Sequence, residues 1–182
     1  MKVFLDFEAS SLAVHSYPIE VAWVFQDGRN ESHLIRPAPG WEDWDAAAEA
    51  IHGIPRAMLI AQGEPHHEVA HRMVDVLANH DLFASAPSWD GKWLSALLRA
   101  ADFPRHRLRL RDTEEALRST ATEILDRVLT PARLATEVHT IVSRVSDTPE
   151  PPPAHRALPD AEREYQSWLR ARDAARALLA AA

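Results

Sequence analysis

The chain opens with an apolar run, Val3, Phe4 and Leu5, that closes on Asp6-Phe7-Glu8, and Ile19 to Phe25 repeats that texture over a longer stretch. Both read as buried strands. The Asp27-Gly28 turn signal, then Glu31 to Arg36 leading into Pro37, Pro39 and Gly40, completes a predicted three-stranded meander. From Trp44 the period changes. An Ala-rich segment ending near His52-Gly53 and a second from about Pro65 to Asn79, with Val69, Met73, Val76 and Leu77 on one stripe, predict two helices. Leu82 to Ala86 reads as a strand, Trp93 to Ala101 as an amphipathic helix, and Leu108 and Leu110, alternating with Arg, as a short fifth strand.

Two further patterns, Leu117 to Val128 and Leu134 to Val145, each give a helix with one apolar face, the second opening with Pro131. Ser146 to Pro153 holds prolines at 149, 151, 152 and 153, which predicts a stiff extended connector, and the chain then reads as helical from about Pro159 to the end. The order β-β-β-α-α-β-α-β followed by helices predicts an α/β fold, a mixed five-stranded sheet flanked by helices, with an extra helical segment over 112–145. No repeat or second core is visible, so residues 1–182 are expected to form a single domain in which 112–153 is a helical insertion plus its Pro-rich connector.

Composition narrows the chemistry. With 182 residues, 46% hydrophobic and 26% charged, the chain can bury a core. The absence of Cys excludes a disulfide scaffold, a thiolate zinc site and a cysteine nucleophile. The three apolar residues before Asp6 fall short of a secretory signal, and no stretch approaches the ~20 apolar residues of a membrane span, so a cytoplasmic protein without membrane contact is expected. A net charge of −7 argues against electrostatic wrapping of nucleic acid, yet carboxylates that hold cations can still meet a phosphate.

Asp6 and Glu8 end the first strand on one side of it, so two carboxylates face one space. About one D-x-E is expected by chance in this composition, and a second one, Asp112-Thr113-Glu114, opens a predicted helix, where such residues cap orphan amides. The first has no such use, and an acidic pair ending a buried strand costs folding energy unless a cation or partner compensates it. Asp90, in Trp89-Asp90-Gly91, follows the strand from Leu82 at the place where open α/β sheets present site residues, although an N-cap would explain it too. Farther on, His155-Arg156-Ala157-Leu158-Pro159-Asp160 puts an aspartate in the first turn of a helix and a histidine on the loop before it.

The collinear set Asp6-Phe7-Glu8-Ala9-Ser10-Ser11-Leu12, Pro18-Ile19-Glu20-Val21-Ala22, Ile51-His52-Gly53-Ile54, Asp90, and His155 with Asp160 resembles the DEDDh 3′-to-5′ exonucleases of the ribonuclease H-like fold. The resemblance implies that Asp6, Glu8, Asp90 and Asp160 hold two divalent cations, Mg²⁺ or Mn²⁺, and that His155 is the general base. It further implies a substrate, the 3′ end of single-stranded DNA or RNA, and puts the Ile51–Ile54 turn beside the terminal nucleotide. Two departures bear on the nucleotide pocket: Ser10-Ser11 stands where many members have Thr-Gly, and Ala86-Pro87-Ser88 where many have His-Asn. Segment 112–145 matches no motif of the family and is the candidate for shaping substrate access or for pairing two copies as a homodimer.

Two alternatives compete. A module of the same fold that only binds nucleic acid or protein would have no use for four clustered carboxylates. The literal H-E-x-x-H at His67-Glu68-Val69-Ala70-His71 suggests a zinc protease, but at 100° per residue both histidines fall about 150° from the apolar stripe, on the solvated face. Trp41, Trp44, Trp89, Trp93 and Trp168 read as packing residues, Trp89 and Trp93 with the added option of stacking on a base. With only Lys2 and Lys92 as lysines, backbone-phosphate contacts fall to arginines, Arg156 and Arg163 being nearest the site, while the run from Arg105 to Arg111 reads as a solvated strand edge.

Overall fold

The structure, a computed structural model, describes residues 1–149 and 152–181. Three antiparallel strands come first: β1 (Lys2–Ala9), β2 (Pro18–Phe25) and β3 (Asn30–Arg36). Helices α1 (Ala46–His52) and α2 (Arg56–Gln62) follow, then the two-residue strand β4 (Glu64–Pro65) and α3 (His66–Leu77). The remainder is β5 (Asp81–Ala84), α4 (Pro87–Ala100), β6 (Leu110–Asp112), α5 (Thr113–Leu125), α6 (Pro131–Ser146) and α7 (Ala157–Ala180). The sheet is mixed, in the order β4-β3-β2-β1-β5-β6, with β5 and β6 parallel to β1.

The α/β expectation holds with one more strand and one more helix than the sequence pattern gave. β4 has only two residues, one of them a proline, and pairs solely with the end of β3. It exists because Gly63 lets the chain pass against Arg36: a Cβ there would lie 2.7 Å from the Arg36 amide nitrogen and 2.4 Å from the Leu59 carbonyl oxygen. α2 is a seven-residue helix with no apolar period to announce it. The sequence predicts a connector from Ser146, but α6 runs through that residue; positions 150 and 151 of the connector lie outside the described residues.

Strand alternation sorts the core into two layers. Val3, Leu5 and Phe7 of β1 join Val21 and Trp23 of β2 against α3 and α4, while Phe4 points the other way, into the cluster of α5, α6 and α7 with Phe83, Trp168 and Ala171. The second layer therefore makes the segment 112–145 part of the core over one face of the sheet. That same face carries the even positions of β1, which are apolar at Phe4 and become acidic at Asp6 and Glu8 where β1 runs past its pairing with β5 while still paired with β2. Among the described residues no helix is long and apolar enough to cross a membrane.

Candidate active site

β1 is flanked by antiparallel β2 on one side and parallel β5 on the other, and β5 stops opposite Phe4, so the end of β1 is free on that edge. Asp6 and Glu8 sit on this free end. α7 crosses the same face and brings Asp160 to them: one carboxylate oxygen from each of Asp6, Glu8 and Asp160 lies within 4.8 Å of the others. Asp90 comes from the opposite layer. It lies inside the first turn of α4, whose N-cap is Ala86 and whose first residue is Pro87, and it is buried at 3% exposure. It is therefore neither a cap nor a residue preceding the helix, as the sequence suggested. Its Oδ2 is buried and has no hydrogen-bond partner among the described residues.

The electrostatics make one unit of these groups. Burial, then the charges of Asp90, Glu8 and Asp160, push the Asp6 carboxyl up to about 9. Burial, then Asp160 and Glu20, push Glu8 up to about 7, with Arg156 acting in the opposite direction. Burial also raises Asp90 to about 7, partly offset by nearby backbone amides, first that of Phe7. Asp6, Glu8 and Asp90, which cannot all ionise together without a counter-charge, are poor stabilisers and good cation ligands.

The group fits a divalent cation. Oxygens bound to one Mg²⁺ at ~2.1 Å stand roughly 3 to 4 Å apart, which the Asp6, Glu8 and Asp160 spacing allows. Asp90, whose charge acts on Asp6, leaves its buried Oδ2 unpaired among the described residues, an acceptor that a cation at its own position would satisfy. Hard carboxylate oxygens suit Mg²⁺ or Mn²⁺, and among the described residues Asp6, Glu8 and Asp160 are the group of three or more potential ligands that converges, with Asp90 outside it. By contrast His67 and His71 are exposed on α3.

Next to Glu8 a cavity of about 240 Å³ opens, lined by Phe7, Leu12, Ile51, His52, Trp93 and His155 among others. Leu12 and Ile51 are apolar yet 69% and 59% exposed at its rim. His52 ends α1 just before Gly53, which takes the left-handed conformation (φ 67°) of a helix C-cap. Its Nδ1 accepts the Ile54 amide at 3.1 Å, so Nε2 carries the ring proton, and that buried N–H has no partner among the described residues. Burial holds the His52 ring below its ordinary pKa and hence neutral. His155 is exposed and has φ 51°, an uncommon conformation for a residue with a side chain. A larger cleft of about 520 Å³ opens on the far side of Asp160 between the β2–β3 turn and α7, but it borders none of the other three carboxylates.

Several partners were not anticipated. Ser10 and Ser11 both donate to Asp43 Oδ2, at 2.9 and 2.6 Å, and Ser10 Oγ also accepts the Tyr17 amide, so the departure from Thr-Gly is a pinned loop. Glu20, quoted only as part of a motif, is buried and accepts three hydrogen bonds from the start of α7: Arg156 Nε (3.0 Å) and Nη2 (2.6 Å), and the Ala157 amide (2.9 Å). Glu164, one turn beyond Asp160 on α7, adds negative charge that acts on Asp6 and Asp90. Arg156, expected at the phosphate, is engaged by Glu20, and Arg163 lies 3.2 Å from Asp160 Oδ1. Trp93 and Trp168 pack in the core as expected, whereas Trp89 is 40% exposed with Lys92 over its ring.

No protein-family model and no curated protein sequence matches the chain. Solved structures do. Escherichia coli exonuclease I, in a zinc-ion-bound complex with single-stranded DNA, superposes with a TM-score of 0.62 at 17% identity, covering 91% of this chain and 38% of that one. Its complex with a dT13 oligonucleotide gives 0.63 at 16% identity, over 92% and 40%. A moderately thermophilic exonuclease I from Methylocaldum szegediense gives 0.56 at 17%, over 70% and 30%. The chain thus spans about two fifths or less of the length of these proteins. At such identity the likeness is one of architecture, and the chain has the ribonuclease H-like α/β fold found in the exonuclease I structures.

Proposed function

We propose that this chain is a metal-dependent 3′-to-5′ exonuclease domain that hydrolyses the terminal phosphodiester of single-stranded DNA or short RNA and releases nucleoside 5′-monophosphates. The observation that carries the reading is the convergence of Asp6, Glu8 and Asp160, with the charge of buried Asp90 acting on Asp6, where Glu8 also lines a cavity shared with His155. A fold built only to bind would gain nothing from holding Asp6, Glu8 and Asp90 so far above their ordinary pKa.

Asp6, Glu8, Asp90 and Asp160 would hold two divalent cations, Mg²⁺ or Mn²⁺. Such ions, when bound, orient water and offset the charge developing on the phosphate. The residues of the chain do the rest. The apolar cavity, with Leu12, Ile51 and Trp93, takes the terminal base, and the His52 Nε2–H donates to an acceptor of that nucleotide. His155 takes one proton from the attacking water on a ring nitrogen as the water oxygen bonds to phosphorus and the bond from phosphorus to the 3′ oxygen breaks. The leaving 3′ oxygen takes a proton from solvent water and His155 returns its proton to solvent, so the products are a nucleoside 5′-monophosphate and a strand one nucleotide shorter with a new 3′ hydroxyl.

The test is incubation with a 5′-labelled single strand and Mn²⁺. The expected result is a ladder of shortened labelled products, abolished by EDTA. No cleavage of any single-stranded DNA or RNA, with or without metal, would replace this reading by that of a binding module on the same fold.

A further inference from the structure

Resting on the exonuclease reading above, we propose that the ion pair between Glu20 and Arg156 is a positioning clamp that fixes the turn carrying His155 beside Glu8, and that Arg156 acts there instead of on the substrate backbone. Glu20 stands opposite Glu8 in the β1–β2 ladder, on the face that α7 covers, and is 3% exposed. A carboxylate buried there is costly unless its lone pairs are filled, and three donors fill them, all from residues 156 and 157.

The clamp replaces a missing local cap. Arg156 is the N-cap of α7 with an extended backbone, and its side chain makes no capping bond to the helix. Glu20 supplies the acceptor for the Ala157 amide from a different element, which ties the first turn of α7 to β2. A second tie lies on the other side of His155, where the Ala154 amide donates to Asp160 Oδ1 at 3.1 Å. His155 is held between the two with φ 51°, a backbone state that persists in a residue with a Cβ only when its surroundings impose it. Both Arg156 donors that form a fork are committed to Glu20, so turning them to a phosphate would leave a buried carboxylate without its partner.

The experiment uses the full chain with Arg156→Ala and Arg156→Lys. Arg156 is chosen because its side chain is 47% exposed and its replacement leaves the Ala157 amide bond to Glu20 in place, whereas replacing Glu20 would orphan all three donors. Steady-state cleavage of a 5′-labelled strand is read beside amide hydrogen exchange over residues 154–158 without substrate. For Arg156→Ala, kcat is expected to fall roughly 10- to 100-fold with KM within about threefold, since a small misplacement of a reacting group has that effect. Exchange at Ala157 should rise in parallel. Arg156→Lys should recover part of kcat, and added methylguanidinium should raise the kcat of the alanine variant. A loss confined to KM would overturn the proposal by making Arg156 a substrate contact, and unchanged kcat with unchanged exchange would overturn it outright. If the wild-type chain cleaves nothing, the exonuclease reading falls, while the exchange measurement still decides whether the clamp exists.

Discussion

Glu8 and Glu20 face each other across the β1–β2 ladder on the same side of the sheet, and only Glu20 is closed off by a full set of donors. Like charges directly opposite each other disfavour a strand pair, so the two positions must be satisfied in different ways. Glu20 is satisfied by α7, and Glu8 is left to look into the acidic cluster, with its carboxyl pushed up to about 7. Glu8→Gln should therefore reduce turnover by orders of magnitude while leaving the metal-free protein as stable as before or more so. Glu20→Gln should do the reverse in stability, costing about 1–3 kcal/mol by urea unfolding, because it weakens a charge-assisted network whose arginine is half exposed. Equal destabilisation by both would contradict this division of roles.

The acidic cluster also sets the sign of the pH dependence. Asp6 titrates near 9, and Glu8 and Asp90 near 7, all above the ordinary carboxylate range the unfolded chain returns to. Between about pH 4 and 9 the folded protein thus binds more protons than the unfolded one, so stability is fully present at the acid end and is lost as pH rises. In EDTA the Tm should fall steadily from pH 5 to 9. Saturating Mn²⁺ should flatten that fall, and its binding should tighten with pH and release protons, measured by titration calorimetry in two buffers of different ionisation enthalpy. A Tm in EDTA that does not change over this range would mean that the carboxylates are not held together.

What the sequence made legible was what depends on neighbours in the chain. The switch from Leu5 to Asp6 and Glu8 is local, as is the alternation that puts both acids on one face, and Asp160 and His155 share a short segment. Pro87 starts α4 and draws Asp90 into its first turn, a local signal that competes in the sequence with an N-cap role for Asp90. Glu20 was different in kind: its partner lies 136 residues away, and a single acid in an apolar strand says nothing about which cation will meet it. β4 likewise forms only because tertiary packing brings Gly63 against Arg36, and no period of two residues can announce it.

The nucleotide cavity offers a test apart from the metals. His52→Asn keeps a side-chain oxygen able to accept the Ile54 amide but withdraws the donor at Nε2, and His52→Phe removes both. If that N–H meets the terminal nucleotide, both variants should raise KM, or the Kd for a nucleoside 5′-monophosphate, about tenfold, with kcat changed only a few-fold. The phenylalanine variant alone should lower Tm appreciably. An unaltered KM in both would reduce His52 to a turn residue.

The two histidine sets of the sequence separate the proposed chemistry from its rival. His155 lines the cavity beside Glu8 but donates no oxygen to the cluster, so His155→Ala should leave Mn²⁺ affinity nearly unchanged while lowering kcat by roughly 10² to 10⁴. His67 and His71 lie exposed on α3, with His71 edge-on to Phe103 at 4.7 Å and nothing in the acidic cluster within their element. Replacing both by Ala should cost no more than a few tenths of a kcal/mol and leave cleavage intact. A zinc hydrolase built on His67 and His71 requires the opposite pattern, so loss of activity in that double variant, with His155→Ala still active, would move the site to α3 and remove the role assigned here to the four carboxylates.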